Sequence, residues 1–160
     1  MIHEVEGDIL LTKAQVIAHG VAANDPMKQG LALSLHERYP AMHKDFHHWC
    51  HQAHPEPGAA WVWGGTDGVR LVNLITQAGG HDAGSHPGKA SEASVNHALR
   101  ALKKIIIKKK FSSVALPRLA TGVGGLSWEQ VKPLIEAQLG DLDIPVYLYV
   151  VFRAGKQAAE

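Results

Sequence analysis

The chain predicts an α/β domain with helices on both faces of a mixed sheet, and three observations carry the prediction. Short apolar runs alternate with amphipathic segments along the whole length. Two of those runs, Ala60 to Trp63 and Val69 to Ile75, are joined by the turn-rich linker Gly64-Gly65-Thr66-Asp67-Gly68, a hairpin signal. The run ending at Leu116 passes through Gly122, Gly124 and Gly125 straight into a helix start.

At 160 residues the chain fits a single domain spanning 1–160, with room for a proper core. Lys plus Arg number 16 against 15 for Asp plus Glu, so there is no global basic field of the kind non-specific nucleic-acid binding uses; recognition must come from a local site. One cysteine, Cys50, excludes an internal disulfide framework. No leader-like segment is found and no apolar run is long enough for a bilayer, which predicts a cytoplasmic protein without a membrane partner. Repeats and low-complexity tracts are absent.

Taken in order, Ile2 to Val5 and Val16 to His19 read as strands, with Asp8 in the loop that the first strand feeds. Gln29 to Arg38 reads as a short helix stopped by Tyr39-Pro40, and Ala41 to His54 as a second helix ended by Pro55-Glu56-Pro57-Gly58. After the hairpin, Thr76 to Lys89 is polar, glycine-rich and aperiodic, the kind of long loop that carries function. Ser91 can cap a helix whose Val95, Ala98, Leu99, Leu102, Ile105 and Ile106 form one apolar stripe. Lysines at 103, 104, 108, 109 and 110 gather at its C-terminus, where cations suit the helix dipole. Ser113 to Leu116 reads as a buried strand, Trp128 to Leu139 as a helix closed by Gly140, and Pro145 to Phe152 as the last strand.

The segment Leu116-Pro117-Arg118-Leu119-Ala120-Thr121-Gly122-Val123-Gly124-Gly125-Leu126-Ser127-Trp128 is the most informative. Glycines allow close backbone approach, and the helix start adds partial positive charge, so backbone N–H groups there suit a phosphate or diphosphate. The spacing is neither a Walker loop nor Gly-x-Gly-x-x-Gly. Together with Gly7-Asp8-Ile9, Gly30-Leu31-Ala32 leading to Arg38-Tyr39-Pro40, and Asn73-Leu74-Ile75-Thr76, it resembles a macrodomain over nearly the whole chain. The branch it looks most like contains the human terminal ADP-ribose glycohydrolase and the bacterial antitoxins that strip ADP-ribose from DNA.

The resemblance implies a three-layer α/β/α fold with a mixed central sheet, and an ADP-ribose site. An aspartate like Asp8 would accept a hydrogen bond from the adenine amino group beside the Ile9 backbone. Thr121, Gly122, Val123, Gly124, Gly125 and Leu126 would wrap the diphosphate and distal ribose, with Gly30 and Leu31 in the loop closing the other side. Phe152 resembles the position that gives adenine an aromatic contact. The partners implied are ADP-ribose and ADP-ribosylated nucleic acid or protein; no cofactor and no metal are implied. Three departures stand out. The loop Ala22 to Gly30 lacks the branch's asparagine–cysteine pair; Gln77 stands where a catalytic lysine would; Gly124 stands at the position of the acid.

Glycosidic hydrolysis still needs groups that polarise the ribose and manage a proton. Lys89 and His86, at the end of the long polar loop, and His19, at the end of the second strand, are the candidate catalytic residues. His43, His47, His51 and His54 are spaced four, four and three on one helix, the right stagger for a metal; lacking the partners that fix ligand rings, they read instead as a solvent-facing stripe. The functions to separate are removal of ADP-ribose from a macromolecule or a small ADP-ribosyl derivative, a non-catalytic reader of ADP-ribose or a related adenine diphosphate, and a nucleotide pocket turned to another metabolite.

Overall fold

The structure is a computed structural model that describes residues 1–79 and 88–160. Among the described residues six strands form one sheet in the order β1-β6-β5-β2-β4-β3. They span Ile2–Gly7 (β1), Val16–Ala22 (β2), Ala60–Gly64 (β3), Arg70–Gln77 (β4), Val114–Leu116 (β5) and Val146–Phe152 (β6). Only β3 runs antiparallel to its neighbour, as the hairpin partner of β4; the other five are parallel, so their carboxyl ends share one edge. The helices are Gly30–Arg38 (α1), Pro40–Ala53 (α2), Glu92–Lys109 (α3) and Trp128–Leu139 (α4).

The strand period of two assigns side chains to the two faces. Val16, Ala18, Val72, Leu74, Val114 and Leu116 face the side covered by the apolar stripes of α3 and α4. Ile17, Val21, Leu71, Ile75 and Ala115 pack with Leu35, Met42 and Phe46 of α1 and α2. The result is the three-layer α/β/α arrangement that the sequence predicts. Strands buried on both faces read as continuous apolar runs, which is how β2 and β4 appear in the sequence.

Local signals also act as read. The Ser91 hydroxyl accepts the Ser94 N–H at the start of α3, and Ser127 forms a reciprocal capping box with Gln130 at the start of α4. One correction falls on the first loop. Ile9–Leu11 is a 3-10 turn rather than open loop, because Asp8 caps it by accepting the Leu10 N–H at 3.0 Å. No helix among the described residues is long and apolar enough to cross a membrane.

Candidate functional site

A groove runs along the shared carboxyl edge of the parallel strands, the place where open α/β sheets present ligand sites. It consists of two cavities that meet at Leu31 and Pro117. The first, about 420 Å³, is lined by Asp8, Ile9, Gly30, Leu31, Tyr149 and Phe152 among others. Phe152 is 70% exposed at the last paired position of β6, so its ring is a free apolar face and not a core aromatic. The Tyr149 hydroxyl donates to the Glu160 carboxylate at 2.6 Å; burial and that carboxylate push the phenol far above its usual range. Asp8 accepts the Leu10 N–H on one oxygen and the Gly155 N–H, at 3.0 Å, on the other. A carboxylate has about four acceptor positions, so two remain for an incoming amine.

Two sets of backbone amides flank the junction of the cavities. Gly30, at φ +63°, opens α1, and its N-cap residue Gln29 makes no side-chain hydrogen bond to the first turn, whose amides have no side-chain acceptor among the described residues. Opposite it, the loop from Ala120 closes on itself through Leu126 N–H to the Ala120 carbonyl and Gly125 N–H to the Gly122 carbonyl. The amides of Gly122, Val123 and Gly124 have no acceptor among the described residues. Such an arrangement of N–H groups has the chemistry to hold an anion. A β-carbon at Gly124 would lie 2.7 Å from the Ala120 carbonyl oxygen, whereas one at Gly122 would meet nothing within 4 Å. The first glycine is needed by the loop; the second leaves space.

The second cavity, about 320 Å³, has His19, Gly20, Asp25, Lys28, Thr76, Gln77, Arg118 and the glycine loop in its wall. His19 and Asn73 are register partners on β2 and β4 and join through His19 Nε2 and Asn73 Oδ1 at 2.7 Å. Burial outweighs that hydrogen bond and holds the imidazole below its ordinary pKa, so the ring is neutral at pH 7. Since Oδ1 is an acceptor, the neutral ring carries its proton on Nε2. Removing either partner would leave a buried polar group unpaired, at a cost of about 1–3 kcal/mol.

The residues read as binding Asp8, Ile9, Gly30, Leu31, Gly122, Val123, Gly124 and Phe152 therefore line one groove, and His19 joins them in its second cavity. Thr121 donates its hydroxyl to the Arg118 carbonyl, and Gly125 and Leu126 form the closing bonds of the loop. Lys89 stands outside the cavity lining: its Cδ lies 3.8 Å from where a β-carbon of Gly125 would begin, on the flank of the glycine loop. His86 lies outside the described residues. The histidine stripe differs from its reading. His43 stacks on His36 of α1 with ring centroids 3.8 Å apart and meets His47 at 4.2 Å; His47 donates through Nε2 to the Asp25 carbonyl, so the first two turns of the stripe are packed rather than solvent-facing.

Sequence reasoning singled out neither Asp25 nor Lys28. The signal was Asp25-Pro26, a turn pair inside a loop already expected to flank the ligand. The Asp25 carboxylate accepts the Ala22 and Met27 N–H groups at 2.9 and 2.8 Å and so folds that loop over the second cavity.

A base-sized apolar cleft, facing sets of free amides and a smaller polar chamber define a module for an elongated, anion-bearing ligand. The chain belongs to the Macro domain family, whose model matches residues 19–135. It is 31% identical over 154 residues to a DNA ADP-ribosyl glycohydrolase of Mycobacterium tuberculosis, covering 92% of this chain and 42% of that protein. The macrodomain of Mycobacterium tuberculosis DarG superposes with a TM-score of 0.82 at 27% identity, covering 93% of this chain and 97% of that one. Thermosipho africanus DarTG, solved in complex with ADP-ribose, gives a TM-score of 0.81 at 22% identity over 98% of this chain and 42% of that one. The chain thus spans about 42% of the length of the curated glycohydrolase it matches.

Proposed function

We propose that residues 1–160 form a single macrodomain that binds ADP-ribose along the groove and hydrolyses the bond joining it to DNA, in the cytoplasm. Adenine occupies the cleft between Asp8 and Phe152, with the exocyclic amine on the free acceptor positions of Asp8. The diphosphate lies between the α1 amides and those of Gly122 to Gly124, with the Lys89 ammonium adding charge from the loop's flank. The distal ribose enters the second cavity over His19. One observation carries this reading: the apolar cleft, the amides and the polar cavity follow one another along a single groove in the order of the ligand's own parts. The similarity to a DNA ADP-ribosyl glycohydrolase supports the choice of DNA as the modified macromolecule.

The catalytic assignments follow the same map. His19, neutral and fixed in one tautomer, orients the ribose; Lys89, on the flank of the glycine loop, and His86, three residues before it in sequence, are the candidates for polarising the ribose and carrying the proton. The test pairs calorimetric titration with ADP-ribose and release of ADP-ribose from a modified DNA oligonucleotide. Binding with release supports the proposal. Binding without release from DNA or protein leaves a reader of ADP-ribose, a reading favoured by the absence of a titratable side chain at positions 77 and 124. Absence of binding overturns both.

A further inference from the structure

The second cavity has four side chains in its wall that can carry charge: His19, Asp25, Lys28 and Arg118. Three are engaged elsewhere. His19 is 2% exposed and bonded to Asn73. Both Asp25 oxygens accept backbone N–H groups. The Arg118 guanidinium sits 5.3 Å from the centroid of the Trp128 ring, a cation–π contact that directs it to the helix start. Lys28 makes no ion pair among the described residues.

The backbone that presents Lys28 is pinned on both sides. Met27, at φ +52°, has its N–H held by Asp25 and its side chain fully buried among Leu35, Met42 and Phe46. The Asp25 carbonyl is held in turn by His47. Beyond Lys28, Gln29 begins α1 as its N-cap residue. With Met27 anchored in the core, the next residue, Lys28, is exposed and borders the cavity. Gln77, also in the wall, has no exchangeable proton of useful acidity near neutral pH.

We propose that Lys28 is the catalytic acid of this site, its ammonium hydrogen-bonding the group X that leaves the anomeric carbon of the distal ribose. This rests on the glycohydrolase reading above. The bond between C1″ and X breaks with its electron pair going to X, and the Lys28 proton passes to X. A water oxygen bonds C1″, the surplus proton of that water leaves to solvent, and solvent reprotonates the Lys28 amine. Nothing is oxidised or reduced; the net reaction consumes one water and yields ADP-ribose and HX.

The test is single-turnover release of ADP-ribose from a modified DNA oligonucleotide, alongside ADP-ribose titration, for wild type, Lys28→Ala, Lys28→Arg and Lys104→Ala. Lys28→Ala is expected to slow release about 100-fold or more, the scale of general acid catalysis, with ADP-ribose affinity within about threefold. Added methylamine restores part of the lost rate, and Lys28→Arg, which keeps the charge but gives up no proton, is as slow as Lys28→Ala. Lys104→Ala, on the exposed end of α3, leaves the rate unchanged. Equal rates for wild type and Lys28→Ala overturn the role of Lys28 while the glycohydrolase reading stands. A loss of affinity as large as the loss of rate makes Lys28 a binding cation and overturns it as an acid. ADP-ribose binding by wild type with no release from DNA overturns the hydrolytic reading itself and this role with it.

Discussion

The cleft beside Asp8 and the cavity over His19 share Leu31 and Pro117, yet different contacts hold them in shape. The first is walled by the ends of β1 and β6 and the start of α1, and the backbone after β6 braces Asp8: Lys156 O accepts the Asp8 N–H at 2.7 Å and Gly155 N–H reaches the Asp8 carboxylate. The second is roofed by a loop whose shape depends on one carboxylate, Asp25, and one buried side chain, Met27. A frame of regular strands preserves a residue pattern that can be matched from sequence. A roof made of a few specific contacts can be rebuilt with other residues.

The comparison can be broken most forcefully at the junction. Gly124→Glu places a β-carbon against Ala120 and a negative charge at the anion site, and should lower ADP-ribose affinity by at least about 100-fold, or roughly 2.7 kcal/mol, by calorimetry. Its counterpart Gly122→Ala meets no protein atom, so its melting temperature should match wild type while affinity falls about tenfold; unchanged binding there would move the diphosphate off this loop.

Within the first cleft, Asp8→Ala removes the proposed adenine acceptor and should weaken ADP-ribose by about 1.5–3 kcal/mol. It also removes a cap from the 3-10 turn and an acceptor from Gly155, so the melting temperature should drop as well. Should affinity hold while stability falls, Asp8 is a framework residue only. Phe152→Ala is the smaller change: about 1 kcal/mol of affinity and no loss of stability, because the ring is exposed without ligand. Equal affinities would take adenine off that ring.

The smallest effect is one of pH, and it belongs to the second half. Burial, then the neighbouring His47 and His36, hold His43 below its ordinary pKa of 6.5, and burial does the same to His19. The unfolded chain therefore binds protons that the folded one resists. Stability should be intact above about pH 6.5 and decline as pH falls below it, levelling off once the folded groups protonate as well. Melting temperatures measured from pH 7.5 down to 5.5 should fall less steeply for His43→Gln than for wild type; parallel curves would remove His43 from the linkage.

Much of this was legible beforehand because it rests on local rules. The apolar runs of β2 and β4, the caps at Ser91 and Ser127 and the glycine run each announce an element by residue type and spacing. What was not legible depends on contacts distant in sequence. Lys28 borders the cavity because Met27 is buried in the cluster that also holds Met42 and Phe46, and His43 is half-buried because α1 brings His36 over it. Phe152 has the composition of a core residue and an exposed position at the end of its strand, a distinction that pairing with Gly7 decides.

In the sheet β1 has one neighbour, β6, so residues 2–7 bond to residues 146–152 and to no strand between them. During synthesis β1 has no strand partner in this sheet until residues 146–152 have followed. Closing so long a loop carries an entropic cost that only late contacts repay. The central strands β2, β4 and β5 can assemble with α3 while β1 waits. The cleft beside Asp8, built from the ends of β1 and β6, therefore rests on the most sequence-distant strand pairing of the sheet, whereas the cavity over His19 rests on β2 and β4, which are far closer in sequence.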